Sequence, residues 1–226
     1  LFDADETLFD FHYAEREALR AALLKSGVEY REEYQKLYSE LNLSLWKQLE
    51  LGKITRQELL IARFSRFFEA AGIQGDAEAA RVSFQAGLAA EGRLFPGALE
   101  LCRELAGEFE LYLVTNGVAE TQRTRLASSG LQPYLKGVFI SEEIGAPKPQ
   151  KEFFDAVERG IDNFVREQAL IIGDSLTSDI KGGNIAGIDT CWYNPHGAAS
   201  DAEIEPTYTV ATYAELKELL GIADIL

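Results

Sequence analysis

Apolar and polar positions along this chain fall into two textures. From residue 11 to about residue 92 the apolar residues recur at helical spacing. Tyr34, Leu37, Tyr38, Leu41, Leu45, Trp46 and Leu49 make one such stripe. Thr55-Arg56-Gln57-Glu58 has the form of a capping box ahead of Leu59, Leu60, Phe64, Phe67 and Phe68, in which each end residue's side chain accepts from the other's backbone N–H. Gly72 suits the stop of that helix, and a further helix is predicted from Asp76 to Leu88. No strand-like run occurs in this region.

After Pro96-Gly97, a turn signal, the pattern changes. A helix over Ala98–Leu105 leads into the short apolar run Leu111–Val114. Further runs follow at Val138–Ile140, Leu170–Ile172 and Thr190–Tyr193, with Tyr208–Val210 as a candidate edge strand. Helical segments separate them, among them Lys151–Arg159 and Ala214–Leu220. Short apolar runs alternating with helices predict βαβ units and a parallel sheet buried on both faces. Leu1-Phe2 opens the first strand, which the helical block then separates from the others. The fold class expected is α/β: a Rossmann-like parallel-sheet core, residues 1–10 and 93–226, with an inserted all-helical subdomain, residues 11–92. Residue 1 is Leu and no Met occurs, so a few apolar residues are expected ahead of it to complete the first strand.

The bulk numbers narrow the function classes. A chain of 226 residues accommodates one large domain or one domain with an insertion. A formal net charge of −15 argues against non-specific binding to nucleic-acid polymers or acidic membranes, which needs basic surface. It leaves room for a small anion in a local cationic pocket. Cys102 and Cys191 lie far apart in apolar contexts and read as buried free thiols of a reducing compartment. No apolar run approaches the ~18 residues of a membrane span, and no signal peptide is visible. A cytoplasmic location is expected, and the oligomeric state is open.

Candidate chemistry sits where the apolar runs end, because ligands of open parallel sheets bind beyond the carboxyl ends of the strands. The first end carries Asp3, Asp5 and Thr7. The next carries Thr115, Asn116 and Gly117. A later loop carries Pro147-Lys148-Pro149, and another strand end carries Gly173-Asp174-Ser175 with Asp179. Singly, each has an ordinary reading: carboxylates capping a helix, a turn, a solvated lysine. Together, each at a strand end, they point to one site.

The set DADET, LVTNG, APKP and GDSLTSD resembles the motifs of the haloacid dehalogenase superfamily of phosphohydrolases, over nearly the whole chain. Residues 11–92 match that family's helical cap. The run IIGDSLTSDIKGGNIAGIDTCWYNP, with DADETLFDF and NLSLW, is similar to the bacterial pyrimidine 5′-nucleotidases. The resemblance makes Asp3 the nucleophile. It implies Mg²⁺ held by Asp3, Asp174 and the backbone carbonyl of Asp5. Asp5 would be the acid that protonates the leaving group and then the base that activates water. Thr115 and Lys148 would hold phosphoryl oxygens, with help from Asn116. Asp179 would hold a metal-bound water, orient Lys148, or merely cap a helix. Many members carry Gly where this chain has Glu6, a change that removes no reacting group.

The cap would close over the site and exclude water. Asn42, Trp46 and Lys47 share one helical patch and could face the substrate, although a core Trp46 with solvated Asn42 and Lys47 is the plainer reading. His12 and His196 read as loop or surface residues. The expected function is Mg²⁺-dependent hydrolysis of nucleoside 5′-monophosphates through an aspartyl-phosphate. The substrate partner is a small phosphate monoester. Alternatives are a phosphatase or mutase for a sugar phosphate or phosphoglycolate, a metal-independent 2-haloacid dehalogenase, and a non-catalytic module phosphorylated on Asp3.

Overall fold

The computed structural model describes residues 1–222. The chain divides into two compact units. One comprises Phe11–Arg93 together with the short stretch Glu120–Arg125, and the other comprises Leu1–Asp10, Leu94–Ala119 and the described chain from Leu126 on.

The first unit is helical: α1 (Phe11–Lys25), α2 (Glu32–Glu50), α3 (Arg56–Ala71) and α4 (Ala77–Ala90). The capping box forms at α3, where Thr55 Oγ1 accepts from the Glu58 N–H at 3.2 Å and Glu58 Oε2 accepts from the Thr55 N–H at 2.7 Å. Gly72 ends α3 in left-handed backbone at φ +64°, which favours glycine. Asp76 caps α4 by accepting from the N–H groups of Glu78 and Ala79, so the helix proper starts one residue later than its sequence pattern suggests. Ala14, Ala18 and Ala22 let α1 lie close to α4. A Cβ on Gly87 would stand 3.0 Å from the Ala18 Cα, so glycine there permits the approach. The core between the helices is aromatic, with Tyr38 centred 5.1 Å from Phe64 and 5.0 Å from Phe84. Burying each such ring contributes roughly 1.5–3 kcal/mol.

The second unit carries the sheet. In chain order it contains α5 (Ala98–Leu105), β1 (Leu111–Thr115), α6 (Ala119–Ser129), β2 (Leu135–Ile140), α7 (Ser141–Ile144), α8 (Lys151–Gly160), β3 (Leu170–Gly173), α9 (Lys181–Ala186), β4 (Asp189–Tyr193), β5 (Tyr208–Val210) and α10 (Tyr213–Leu219). The segment Glu120–Arg125 of α6 is the part that groups with the helical unit. β1 pairs with β2, and β3 with β4 and β4 with β5, all parallel. The opening segment joins the two groups. Phe2 bridges Leu113 on one side and Ile172 on the other, with Phe2 N–H to Tyr112 O and Asp3 N–H to Ile172 O both at 2.8 Å.

The opening strand read from Leu1–Asp3 is thus a short segment bridged at Phe2, with Leu1 accepting from the Ile172 N–H and Asp3 donating to the Ile172 carbonyl. The chain then folds back on itself, with the N–H groups of Leu8 and Phe9 both donating to the Ala4 carbonyl. β2 is longer than its apolar run. Leu135 and Gly137 pair as well, with Lys136 as the extra residue where the register shifts, but a half-covered strand with an exposed lysine carries a weak apolar signal. Alternate strand residues face opposite sides, as a sheet buried on both faces requires. Leu113 and Ile172 join Phe2, Leu101 and Cys191 on one side, while Val114 and Ile171 join Phe153, Phe154 and Val157 on the other. Cys102 and Cys191 are buried free thiols. Because all strands run parallel, the ends of β1, of the Phe2 segment and of β3 share one edge of the sheet.

Candidate active site

Asp3 follows the Phe2 bridge, Thr115 closes β1, and Asp174 follows the last residue of β3. Lys148 reaches them from the loop between α7 and α8. Its Nζ donates to Asp3 Oδ1 at 2.6 Å, to Asp179 Oδ1 at 2.6 Å and to the Val114 carbonyl at 2.8 Å. These bonds use the full donor set of an ammonium group. Lys148 is 1% exposed, so protein groups rather than water stabilise its charge.

The loop that carries Lys148 is fixed by Asn116. The Asn116 Nδ2 donates to the Lys148 carbonyl at 2.9 Å, and its Oδ1 accepts from the Lys148 N–H at 2.8 Å. The side chain of Asn116 thus pins the lysine's backbone through one donor and one acceptor bond. Thr115 is buried, and its Oγ1 accepts from the Gly117 N–H at 3.0 Å.

Asp179 lies on a π-helical turn, Leu176–Ile180, a geometry that recurs at functional sites. Ser175 caps this turn by accepting from the Ser178 N–H, and Asp179 Oδ2 accepts from the Ser175 N–H at 3.1 Å. Gly173 makes the placement possible, since any Cβ there would overlap the Asp179 carboxyl group. Asp174 is anchored through its N–H, which donates to Thr7 Oγ1 at 3.1 Å. Thr7 and Asp179 are both fully buried.

Carboxylate oxygens of Asp3, Asp174 and Asp179 come within 4.8 Å of one another. Three carboxylates with one lysine leave surplus negative charge in a buried place. Burial pushes the Asp3 carboxyl up to about 7; Lys148 opposes the shift, and Asp179 and Asp5 add to it. Asp174 is raised well above the carboxylate range by burial first, then by Asp3, Asp179 and Glu6. Burial works against the Lys148 charge, but Asp179 and Asp3 outweigh it and hold the ammonium above its ordinary value. Such a set of hard, close, under-neutralised oxygens fits a hard divalent cation. Glu6 adopts left-handed backbone at φ +58°, which accounts physically for glycine at this position in the resemblance described above.

Asn42, Trp46 and Lys47 do not share partners. Asn42 is buried and donates to Glu15 Oε1 at 3.0 Å. Trp46 packs beside Leu45, Leu49 and Leu59, with the Arg56 guanidinium 5.6 Å from its ring centre. Lys47 is exposed, as is His196. The polar cluster around Asn42 escaped the sequence reading. Glu15 also accepts from Ser39 and from Gln35 Nε2, and Arg63 donates to Gln85 Oε1 at 3.0 Å. Burial raises the Glu15 carboxyl, while the Ser39 and Asn42 hydrogen bonds oppose it. Tyr38 OH, Asn42 Oδ1 and Arg63 Nε are buried without a hydrogen-bond partner among the described residues. A signal existed: Glu15, Asn42 and Arg63 each lie on the buried stripe of their own helix, where a polar residue needs a partner.

The family model of haloacid dehalogenase-like hydrolases matches residues 1–187, and the chain belongs to that family of enzymes. It is 44% identical over 221 residues to the pyrimidine 5′-nucleotidase PynA of Streptococcus pneumoniae, covering 97% of this chain and 93% of that protein. It is 35% identical to the pyrimidine 5′-nucleotidase YjjG of Escherichia coli, covering 97% and 96%. The magnesium-bound crystal structure of the HAD-hydrolase YfnB from Bacillus subtilis, described as revealing interdomain movement, superposes with a TM-score of 0.93 at 42% identity, over 98% of this chain and 97% of that one. Among the described residues no helix is long and apolar enough to cross a membrane.

Proposed function

We propose that this protein is a Mg²⁺-dependent phosphoric monoester hydrolase acting on nucleoside 5′-monophosphates, pyrimidine nucleotides above others, through an aspartyl-phosphate on Asp3. The observation that carries this reading is the buried Lys148 ammonium held between Asp3 and Asp179 with Asp174 alongside. A surplus of carboxylate charge there makes sense if a cation completes the site. The pyrimidine 5′-nucleotidase relatives support the substrate class, and the magnesium-bound YfnB structure supports the metal.

Asp3, Asp174 and the backbone carbonyl of Asp5 would hold Mg²⁺, and the metal would supply positive charge that screens the phosphate from the attacking carboxylate. An Asp3 oxygen attacks phosphorus, and the bond from phosphorus to the ester oxygen breaks. Asp5 gives its proton to that departing oxygen. Asp5, now ionised, takes a proton from water, whose oxygen attacks the aspartyl-phosphate and releases inorganic phosphate and the Asp3 carboxylate. Lys148 supplies fixed positive charge beside Asp3, and the Thr115 hydroxyl meets a phosphoryl oxygen. Asp179 holds Lys148 in register. The helical insertion, residues 11–92, acts as the cap that excludes water and selects the leaving group.

The test is a panel of kcat/KM values at fixed Mg²⁺. Uridine and thymidine 5′-monophosphates should exceed purine nucleotides, hexose phosphates and glyceraldehyde 3-phosphate by about tenfold or more, the discrimination a shaped pocket can supply. Nucleoside di- and triphosphates should be poor substrates. A clear preference for a sugar phosphate would overturn the nucleotidase reading and leave the phosphatase chemistry standing. Halide release from 2-haloacids without metal would overturn both.

A further inference from the structure

Both backbone groups of Asp174 leave the sheet ladder, because β3 ends at Gly173. Buried peptide groups beyond a strand end must find other partners, and here both partners are side chains. The N–H goes to Thr7 Oγ1, and the carbonyl accepts from the Trp192 indole Nε1 at 2.8 Å. Trp192 sits on β4 directly opposite Gly173. Its ring is buried with Ile180 and Ile204 and touches Leu176, so it also packs on the π-helical turn that presents Asp179. Thr7 is held in its turn. Its carbonyl accepts from the Tyr213 hydroxyl at 2.6 Å, and Tyr213 stacks on Tyr193, the neighbour of Trp192 along β4, with ring centres 5.2 Å apart and planes at 12°. The backbone of Asp174 is therefore held on its carbonyl side by Trp192, which lies outside the four motifs, and on its N–H side by Thr7 of the DADET motif, which Tyr213 holds in turn.

We infer that Trp192, and through Thr7 also Tyr213, are positioning residues that set the affinity of the acidic cluster for its divalent cation. The inference rests on the proposed role of Asp174 in holding that cation. A cation bound by carboxylates is held tightly only if the ligands are already in place, and groups that fix ligands typically govern affinity by 10- to 100-fold. An indole that merely fills the core also needs a partner for its N–H. Such an indole would influence folding stability without a selective effect on the metal.

Magnesium alone, without substrate, distinguishes the two. Trp192→Phe keeps a ring and removes the donor. Its Mg²⁺ dissociation constant by calorimetry should rise about tenfold, and the Mg²⁺ concentration for half-maximal activity should rise with it, while substrate KM at saturating Mg²⁺ stays within about twofold. Tyr213→Phe should weaken Mg²⁺ less, by about two- to threefold. Ile204→Ala removes packing against the indole but no donor, so it should lower Tm and leave Mg²⁺ affinity unchanged. Should Trp192→Phe fail to fold, Trp46→Phe provides the second route, since the chain has two tryptophans and Trp192 is then the sole tryptophan, read by excitation beyond the absorption of tyrosine. Its fluorescence should shift on Mg²⁺ addition. Unchanged Mg²⁺ affinity in folded Trp192→Phe, equal weakening in Ile204→Ala, or a Trp192 emission indifferent to Mg²⁺ overturns the inference. A wild-type protein that binds no Mg²⁺ overturns instead the metal reading on which it rests.

Discussion

Each unit of this protein buries carboxylate, and the two do so by opposite means. In the α/β unit, Asp3, Asp174 and Asp179 crowd around a single lysine and remain under-neutralised. In the helical unit, the one carboxylate of Glu15 is met by the neutral donors Ser39, Gln35 and Asn42. The first arrangement is unstable by itself, since like charges in a place of low dielectric raise one another's proton affinity. It gains from a cation. The second is nearly satisfied without one. Burial of charge is thus a poor marker of a reactive site taken alone. The charge balance of the cluster separates a site built to accept a ligand from one that specifies how helices pack.

That contrast can be broken most sharply at Asp3. Asp3→Asn removes the nucleophile and a metal ligand, and turnover should fall by roughly 10³ or more. The metal-free protein should become more stable. The sign follows from a carboxyl raised to about 7 when folded against 3.8 when unfolded. The folded state binds more protons between these values, so stability falls as pH rises through that window. The Tm gain of Asp3→Asn should accordingly be larger at pH 8 than at pH 5, read by thermal melts with chelator present. A variant with near wild-type turnover would exclude Asp3 as nucleophile.

Asp5→Asn should cost about 10²- to 10⁴-fold with poor leaving groups, the usual worth of a positioned acid and base. With nitrophenyl phosphate the first step needs little acid, so rapid-quench kinetics should show a burst followed by slow turnover. Equal slowing for good and poor leaving groups, with no burst, would contradict the assigned role.

Gly173→Ala tests the geometry rather than the chemistry. The new methyl overlaps the Asp179 carboxyl, so Asp179 and with it Lys148 must shift. A displacement on the order of 1 Å at a reacting centre costs about 10²-fold. Activity should fall by that order while circular dichroism stays native.

The smallest effect belongs to the helical unit. The Glu15 carboxyl is raised when folded, so its ionisation costs stability as pH climbs above the ordinary glutamate range. Glu15→Gln should flatten the dependence of Tm on pH between 5 and 8 by a few degrees. An unchanged slope would mean that Glu15 contributes nothing to it.

The order of elements was legible in the chain because it depends on local pattern. The apolar runs at 111–114, 170–172 and 190–193 became β1, β3 and β4, and the Thr55 capping box opened α3 as read. Short-range sterics and hydrogen bonding decide such features within a few residues. So did the polar strand ends, once the strands were known to be parallel. What the tertiary structure alone decided was partnership. Lys148 meets Asp3 across 145 positions and Asp179 across 31. Asn116 spends its side chain on the Lys148 backbone, Asn42 finds Glu15, and Trp192 finds the carbonyl of Asp174. The residues that needed partners could be recognised from their place on apolar stripes or beyond strand ends. The identity of each partner follows from which surfaces pack together and which polar groups packing strips of water, and neither is written in any local stretch of the chain.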